Sequence, residues 1–206
     1  DNHTYQNDAT EIPVYRASDN EVYFEDDHLD ISNSPIPTGA SESYTLIAVS
    51  RLTADNSGRG NDGVISSDKN APFSREIRYS LNYFRGEHWG GSTNSAPVEA
   101  TISQDNIIMN EYEGSIPRQR LYFNGKLIDE STISELDDGN AGTGTQQLGM
   151  TAFNEKLRGS IKEVLVFNRS LSDTERIKIN YYLSKKWGLE SVVDSDGDNT
   201  PDSVES

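Results

Sequence analysis

From about residue 20 to residue 168 the chain repeats one pattern. Short runs of alternating or β-branched residues are cut every few positions by Gly, Asn, Asp or Pro. Strands turn successive side chains to opposite faces, so a period of two, broken this often, predicts an antiparallel β-sandwich. The clearest instance is residues 118–128, RQRLYFNGKLI. A type I′ hairpin turn needs positive φ at both central positions, and Asn124-Gly125 supplies it.

Further strands are expected at 22–25, 29–31, 44–51, 64–65, 98–102, 107–109, 147–150 and 160–167. Residues 75–84, REIRYSLNYF, read as one strand with Ile77, Tyr79, Leu81 and Tyr83 on one face. Loops are expected at 55–63, 86–96 and 134–145, and residues 1–19 read as an irregular lead-in. One helix closes the domain at 172–187. Ser172 and Glu175 form a capping-box pattern, Ile179, Leu183 and Trp187 share a face, and Gly188 suits the C-terminal cap.

The formal net charge is −16, with no cysteine. Nucleic-acid binding needs clustered cations, so it is not expected; divalent cations are natural partners of such a surface. Thiolate zinc sites and disulfides are excluded. No run is apolar and long enough for membrane insertion. The chain begins at Asp1 without methionine and reads as a piece of a longer protein.

The terminal segment VDSDGDNTPDSVES carries carboxylates at positions 1, 3, 5, 9 and 12, counted from Asp194. That is the ligand spacing of a calcium loop. Asp194, Asp196, Asp198, Asp202 and Glu205 would offer side-chain oxygens, Thr200 its backbone carbonyl, and Asn199 would take the left-handed turn position. The bland alternative is a solvated acidic end. Calcium is the expected cofactor, bound by an acidic linker over 190–206.

Other candidates are weaker. Trp89, between glycines and beside Glu87, His88, Ser92 and Asn94, reads either as a platform for a sugar or as a ring pinning its loop. His3, His28 and His88 are too scattered for a zinc motif. No Glu-x-Asp-x-x-Glu string, Gly-x-Ser-x-Gly elbow or phosphate loop is present, so catalysis is not expected.

The stretch LRGSIKEVLVFNRSLSDTER at 157–176, continuing to YLSKKWG at 182–188, resembles the end of bacterial laminin-G-like domains. These belong to the concanavalin A-like lectin/glucanase group. YFNGK at 122–126 resembles that family's hairpin, and Tyr23-Phe24 through Asp30 its opening strand, with Glu25-Asp26 in place of the usual Asp-Gly. The tail string DSDGDNTPD resembles thrombospondin type 3 calcium repeats.

The resemblance implies an all-β jelly-roll sandwich over 20–189 with one C-terminal amphipathic helix. It also permits a rim site for calcium or ligand among Asp26, Asp27, Asp62, Asp137 and Asp138, although turn aspartates are ordinarily just solvated. Together these readings predict a non-catalytic, calcium-dependent glycan-binding module. Its setting would be extracellular or at the cell surface, in a bacterial adhesin or secreted multidomain protein, with a glycan or cell-surface ligand and neighbouring domains as partners. A structural spacer, or a carbohydrate-binding module of a polysaccharide-degrading enzyme, are the alternatives.

Overall fold

The structure, a computed structural model, describes residues 4–33, 35–37, 39, 41–53, 60–67, 75–81, 83–88, 92–132 and 145–204, and of 92–99 the backbone. Fourteen strands occur among them: β1 (Thr4–Tyr5), β2 (Val14–Arg16), β3 (Glu21–Asp27), β4 (Leu29–Ile31), β5 (Tyr44–Leu52), β6 (Asn61–Ser66), β7 (Arg75–Ser80), β8 (Tyr83–His88), β9 (Ser92–Glu99), β10 (Asn106–Glu113), β11 (Arg118–Phe123), β12 (Lys126–Thr132), β13 (Gln146–Leu148) and β14 (Leu157–Phe167). They make two seven-stranded antiparallel sheets. One runs β1-β4-β13-β6-β7-β8-β9 and the other β12-β11-β10-β5-β14-β3-β2. This is the jelly-roll sandwich expected, with one helix, α1 (Asp173–Trp187), after the last strand.

Two apolar layers hold it together. Phe24, Leu46, Ala48, Ile77, Tyr79, Phe84, Ile108 and Leu121 fill the space between the sheets. On the far side of the second sheet, Ile47, Val49, Ile107 and Met109 meet Leu183 and, partly buried, Ile179 and Trp187 of α1. β5 therefore lies at the centre of both layers. That explains its near-continuous apolar run, since neither face of the strand reaches water. Each large side chain so buried contributes on the order of 1.5–3 kcal/mol.

The helix ends are built as the sequence predicts. Ser172 accepts from the Glu175 amide while the Glu175 carboxylate accepts from the Ser172 amide, and Gly188 takes a left-handed cap with φ 67°. At the hairpin, Asn124 and Gly125 adopt φ 48° and 88°.

Three expectations change. The lead-in is not irregular throughout: β1 pairs with β4 and β2 with β3, so it adds a strand to one edge of each sheet. Strands of two and three residues are too short to show alternation. The stretch 75–84 is not one strand but most of a hairpin, because Leu81 turns with φ 50° and β8 doubles back on β7. The expected loop at 86–96 is largely strand, its ends lying in β8 and β9.

Candidate functional site

On β7, Ile77 and Tyr79 point into the core, so Glu76 and Arg78 lie on the face turned away from the second sheet. On β8, Phe84 points inward, which puts Arg85 and Glu87 beside them. The register sets a polar row across five strands: Asp30, Gln147, Ser66, Glu76 and Glu87. The row is polar on an outer face yet scarcely wetted. Gln147, Ser66, Glu76 and Glu87 have no exposure, and Arg78 only 5%.

Part of the cover is the segment after β13. Gly63 faces it so closely that a Cβ would sit 2.1 Å from the Met150 carbonyl carbon and the Thr151 nitrogen. The segment delivers two groups to the row. The Ala152 amide donates to Glu76 Oε2 at 3.2 Å, and Glu155 Oε2 lies 4.0 Å from Arg78 Nη1. Arg78 is the hub: Nη1 meets Glu76 at 3.1 Å and Nη2 donates to Glu87. Burial, then the Glu76 charge, push the Glu87 carboxyl up to about 8, against the pull of Arg78 and Arg85.

Glu155 links this row to a neighbouring cleft that Glu76, Arg78 and Glu87 do not themselves line. This cleft of about 310 Å³ is lined by Asp26, Asn61, Asn154, Glu155 and Lys156. Asn61 Nδ2 donates to Glu155 Oε1 at 2.6 Å. Amides, carboxylates and an ammonium around a small opening suit a hydroxyl-rich ligand.

The acidic tail forms a second centre. Asp194, Asp196 and Asp198 each bring a carboxylate oxygen to within 4.8 Å of the others. Asp194 is buried; its oxygens accept from the Gly197 and Asn199 amides at 2.8 Å, and Lys126 Nζ lies 3.3 Å away. Gly197 and Asn199 turn with φ 79° and 76°. Thr200 donates its amide to Asp198.

Asp202, expected as a ligand, faces elsewhere. Fully buried, it accepts from the Ser195 amide and hydroxyl at 2.8 Å and from the Ser184 hydroxyl on α1. A carboxylate with three donors inside the fold anchors the tail to the helix. Beside it, a cleft of about 440 Å³ is lined by Tyr122, Lys126, Asp173, Arg176, Asp196 and Asn199, among others.

Two further candidates are corrected. His88, read as a polar neighbour of Trp89 in the expected loop, is buried in a cluster with the Tyr44 and Tyr112 rings, its Nδ1 3.2 Å from the Tyr44 hydroxyl. Burial pushes its pKa down to about 3. Asp62, read as a rim residue, is fully buried on β6, and its Oδ1 accepts from the Arg158 amide at 2.8 Å. Trp89, Asp137, Asp138 and Glu205 lie outside the described residues. The Glu76–Arg78–Glu87 group was missed in sequence, because the turn that folds β8 onto β7 went unread.

No family model matches the chain, and no curated relative matches it. Solved structures do. The CBM40 of the Ruminococcus gnavus IT-sialidase bound to α2,3-sialyllactose superposes with TM-score 0.59 at 18% identity, over 68% of this chain and 82% of that one. The NanB sialidase from Streptococcus pneumoniae gives 0.58 at 16% identity, over 74% and 26%. The Trypanosoma rangeli sialidase gives 0.57 at 12% identity, over 81% and 28%. Identities this low establish the sandwich fold, and the chain spans about a quarter of the two larger enzymes.

Proposed function

We propose that this chain is a non-catalytic, extracellular glycan-binding module and that it takes an anionic, sialylated sugar at the cleft in front of Arg78. The observation that carries the reading is the polar cleft of Asn61, Asn154, Glu155 and Lys156, with the Arg78 guanidinium of the covered polar row 4.0 Å behind Glu155. A guanidinium close behind the cleft favours an anion by its charge, and buried polar groups reject a ligand that leaves them unpaired. The CBM40 neighbour, bound to sialyllactose, supports the same ligand class.

Titration calorimetry against 3′-sialyllactose and lactose tests it. Saturable heat with the first and at least about tenfold weaker binding of the second is expected, a gap of about 1.4 kcal/mol. Equal affinities contradict the anionic reading, and no heat with either contradicts the glycan reading. Its likeness to a carbohydrate-binding module from a sialidase favours a module attached to a glycan-degrading enzyme over a spacer.

The tail fits calcium as a second element of the proposal. Three carboxylate oxygens within 4.8 Å of one another match an ion that takes oxygen ligands at roughly 2.3–2.6 Å. Lys126, 47% exposed at its side chain, stands by Asp194 and would swing aside as the ion enters. The ion would relieve repulsion among the carboxylates and stiffen the junction with a neighbouring domain. Millimolar Ca²⁺ is expected to raise Tm, with stabilisation of about 2.7 kcal/mol when calcium is a hundredfold above Kd. The double change Asp196→Asn, Asp198→Asn should abolish the rise. A Tm identical in calcium and in chelator contradicts the assignment.

A further inference from the structure

Glu76 and Glu87 stand directly opposite each other on β7 and β8, and neither has any exposure. One oxygen of each is served: Glu76 Oε2 by the Ala152 amide and Glu87 Oε1 by Arg78 Nη2. The other two, Glu76 Oε1 and Glu87 Oε2, take no hydrogen bond among the described residues. Arg78 Nη1 pairs with Glu76 Oε1 at 3.1 Å by charge alone. Two buried acceptors without donors, on carboxylates that share one guanidinium, leave a surplus negative charge out of water. That arrangement is costly, and one proton removes both problems.

We propose that Glu76 and Glu87, opposed and buried on one guanidinium, hold a single proton between them at neutral pH, and that an anionic sugar in the neighbouring cleft binds together with that proton, through its charge and not by contact with Glu87. The inference rests on the glycan reading above and adds the regulation of the same site. The charged groups around Glu87 are Glu76 and Arg78 from β7, Arg85 from its own strand, and Glu155, which reaches Arg78 from the segment after β13. Arg75 and His88 belong to the opposite, inward face, with Tyr44.

The sign follows from charge. An anionic sugar beside the pair adds negative potential, so the bound complex holds the proton more tightly than the free protein does. Affinity is then full while free Glu87 is protonated, below about pH 8, and falls by up to about tenfold per pH unit above it. At pH 8, binding should take up about half a proton, seen as calorimetric heat that differs between buffers of different ionisation enthalpy.

The experiment has two arms. Carboxyl ¹³C NMR of glutamate-labelled protein, without ligand, should show one resonance titrating near pH 8 that Glu87→Gln removes. If every glutamate has titrated by about pH 6, the shared proton does not exist, whether or not a sugar binds. Calorimetry with 3′-sialyllactose from pH 6 to 9 is the second arm. Glu87→Gln, which keeps a donor and cannot ionise, should vary in affinity by less than about twofold across that range. Wild-type binding that is flat with pH and indifferent to buffer overturns the coupling while leaving the glycan reading intact. Absence of binding at every pH overturns that reading, and the proton uptake with it.

Discussion

Arg78→Met should cost the fold about 3–5 kcal/mol at pH 8 and eliminate sugar binding. The methionine fills much of the arginine's volume, so the loss is one of charge. Glu76 and Glu87 would remain with no exposure and without their cation. Breaking a buried ion group by removing one member is expensive because the others stay buried and uncompensated. The loss should shrink as pH falls, since the two acids can neutralise themselves by taking up protons. Urea denaturation at pH 5 and pH 8 reads both effects. A loss below about 1 kcal/mol at both pH values would place the group among exposed ion pairs of little weight, contrary to its burial.

Gly63→Ala should be nearly as damaging, at about 3 kcal/mol, for a steric reason. The added methyl would stand 2.1 Å from backbone atoms of Met150 and Thr151, which no side-chain rotation can relieve. Either β6 or the segment after β13 must move. That segment is tied at Gly63 N to Glu155 O and at Gly149 N to Val64 O, at 3.3 and 3.0 Å, and it carries Ala152 and Glu155 to the polar row. The variant should therefore lose sugar affinity as well as stability. Gly197→Ala is the control: φ is 79° there, but nothing lies within 4 Å of the added carbon. Backbone strain alone should cost about 1–2 kcal/mol at that site. Thermal melts and calorimetry on both variants separate crowding from strain.

The parts of the fold written in local chemistry were legible. Asn124-Gly125 announces its turn, Ser172 and Glu175 announce the helix start, and the apolar run of β5 announces a strand covered on both sides. The β7–β8 turn announces nothing. It runs through Leu81 in a left-handed conformation, without glycine or proline at that position, inside a stretch that alternates from Ile77 to Tyr83. Missing it hid the pairing of Glu76 with Glu87, and with it the candidate site. A usable signal was present, since the alternation shifts phase at Tyr83-Phe84 and then runs on through Phe84, Gly86 and His88 into the supposed loop.

Charge patterning was legible only in part. Spacing brought Asp194, Asp196 and Asp198 together as expected for a loop that curls on itself. Spacing could not show that Asp202 is drawn to Ser184, because that contact depends on where the tail meets α1. His88 and Asp62 looked like rim residues for the same reason: polar side chains near glycines suggest loops, and both instead satisfy hydrogen bonds inside the sandwich.

The central claim is that Arg78 and the cleft before it form the sugar site. NMR with the arginine Nε–H and asparagine side-chain resonances assigned, titrated with 3′-sialyllactose, addresses it residue by residue. The account expects saturable shifts at Arg78, Asn61 and Asn154. Shifts confined to the tail cleft, at Arg176 and Asn199, or no shifts at millimolar sugar, would contradict it.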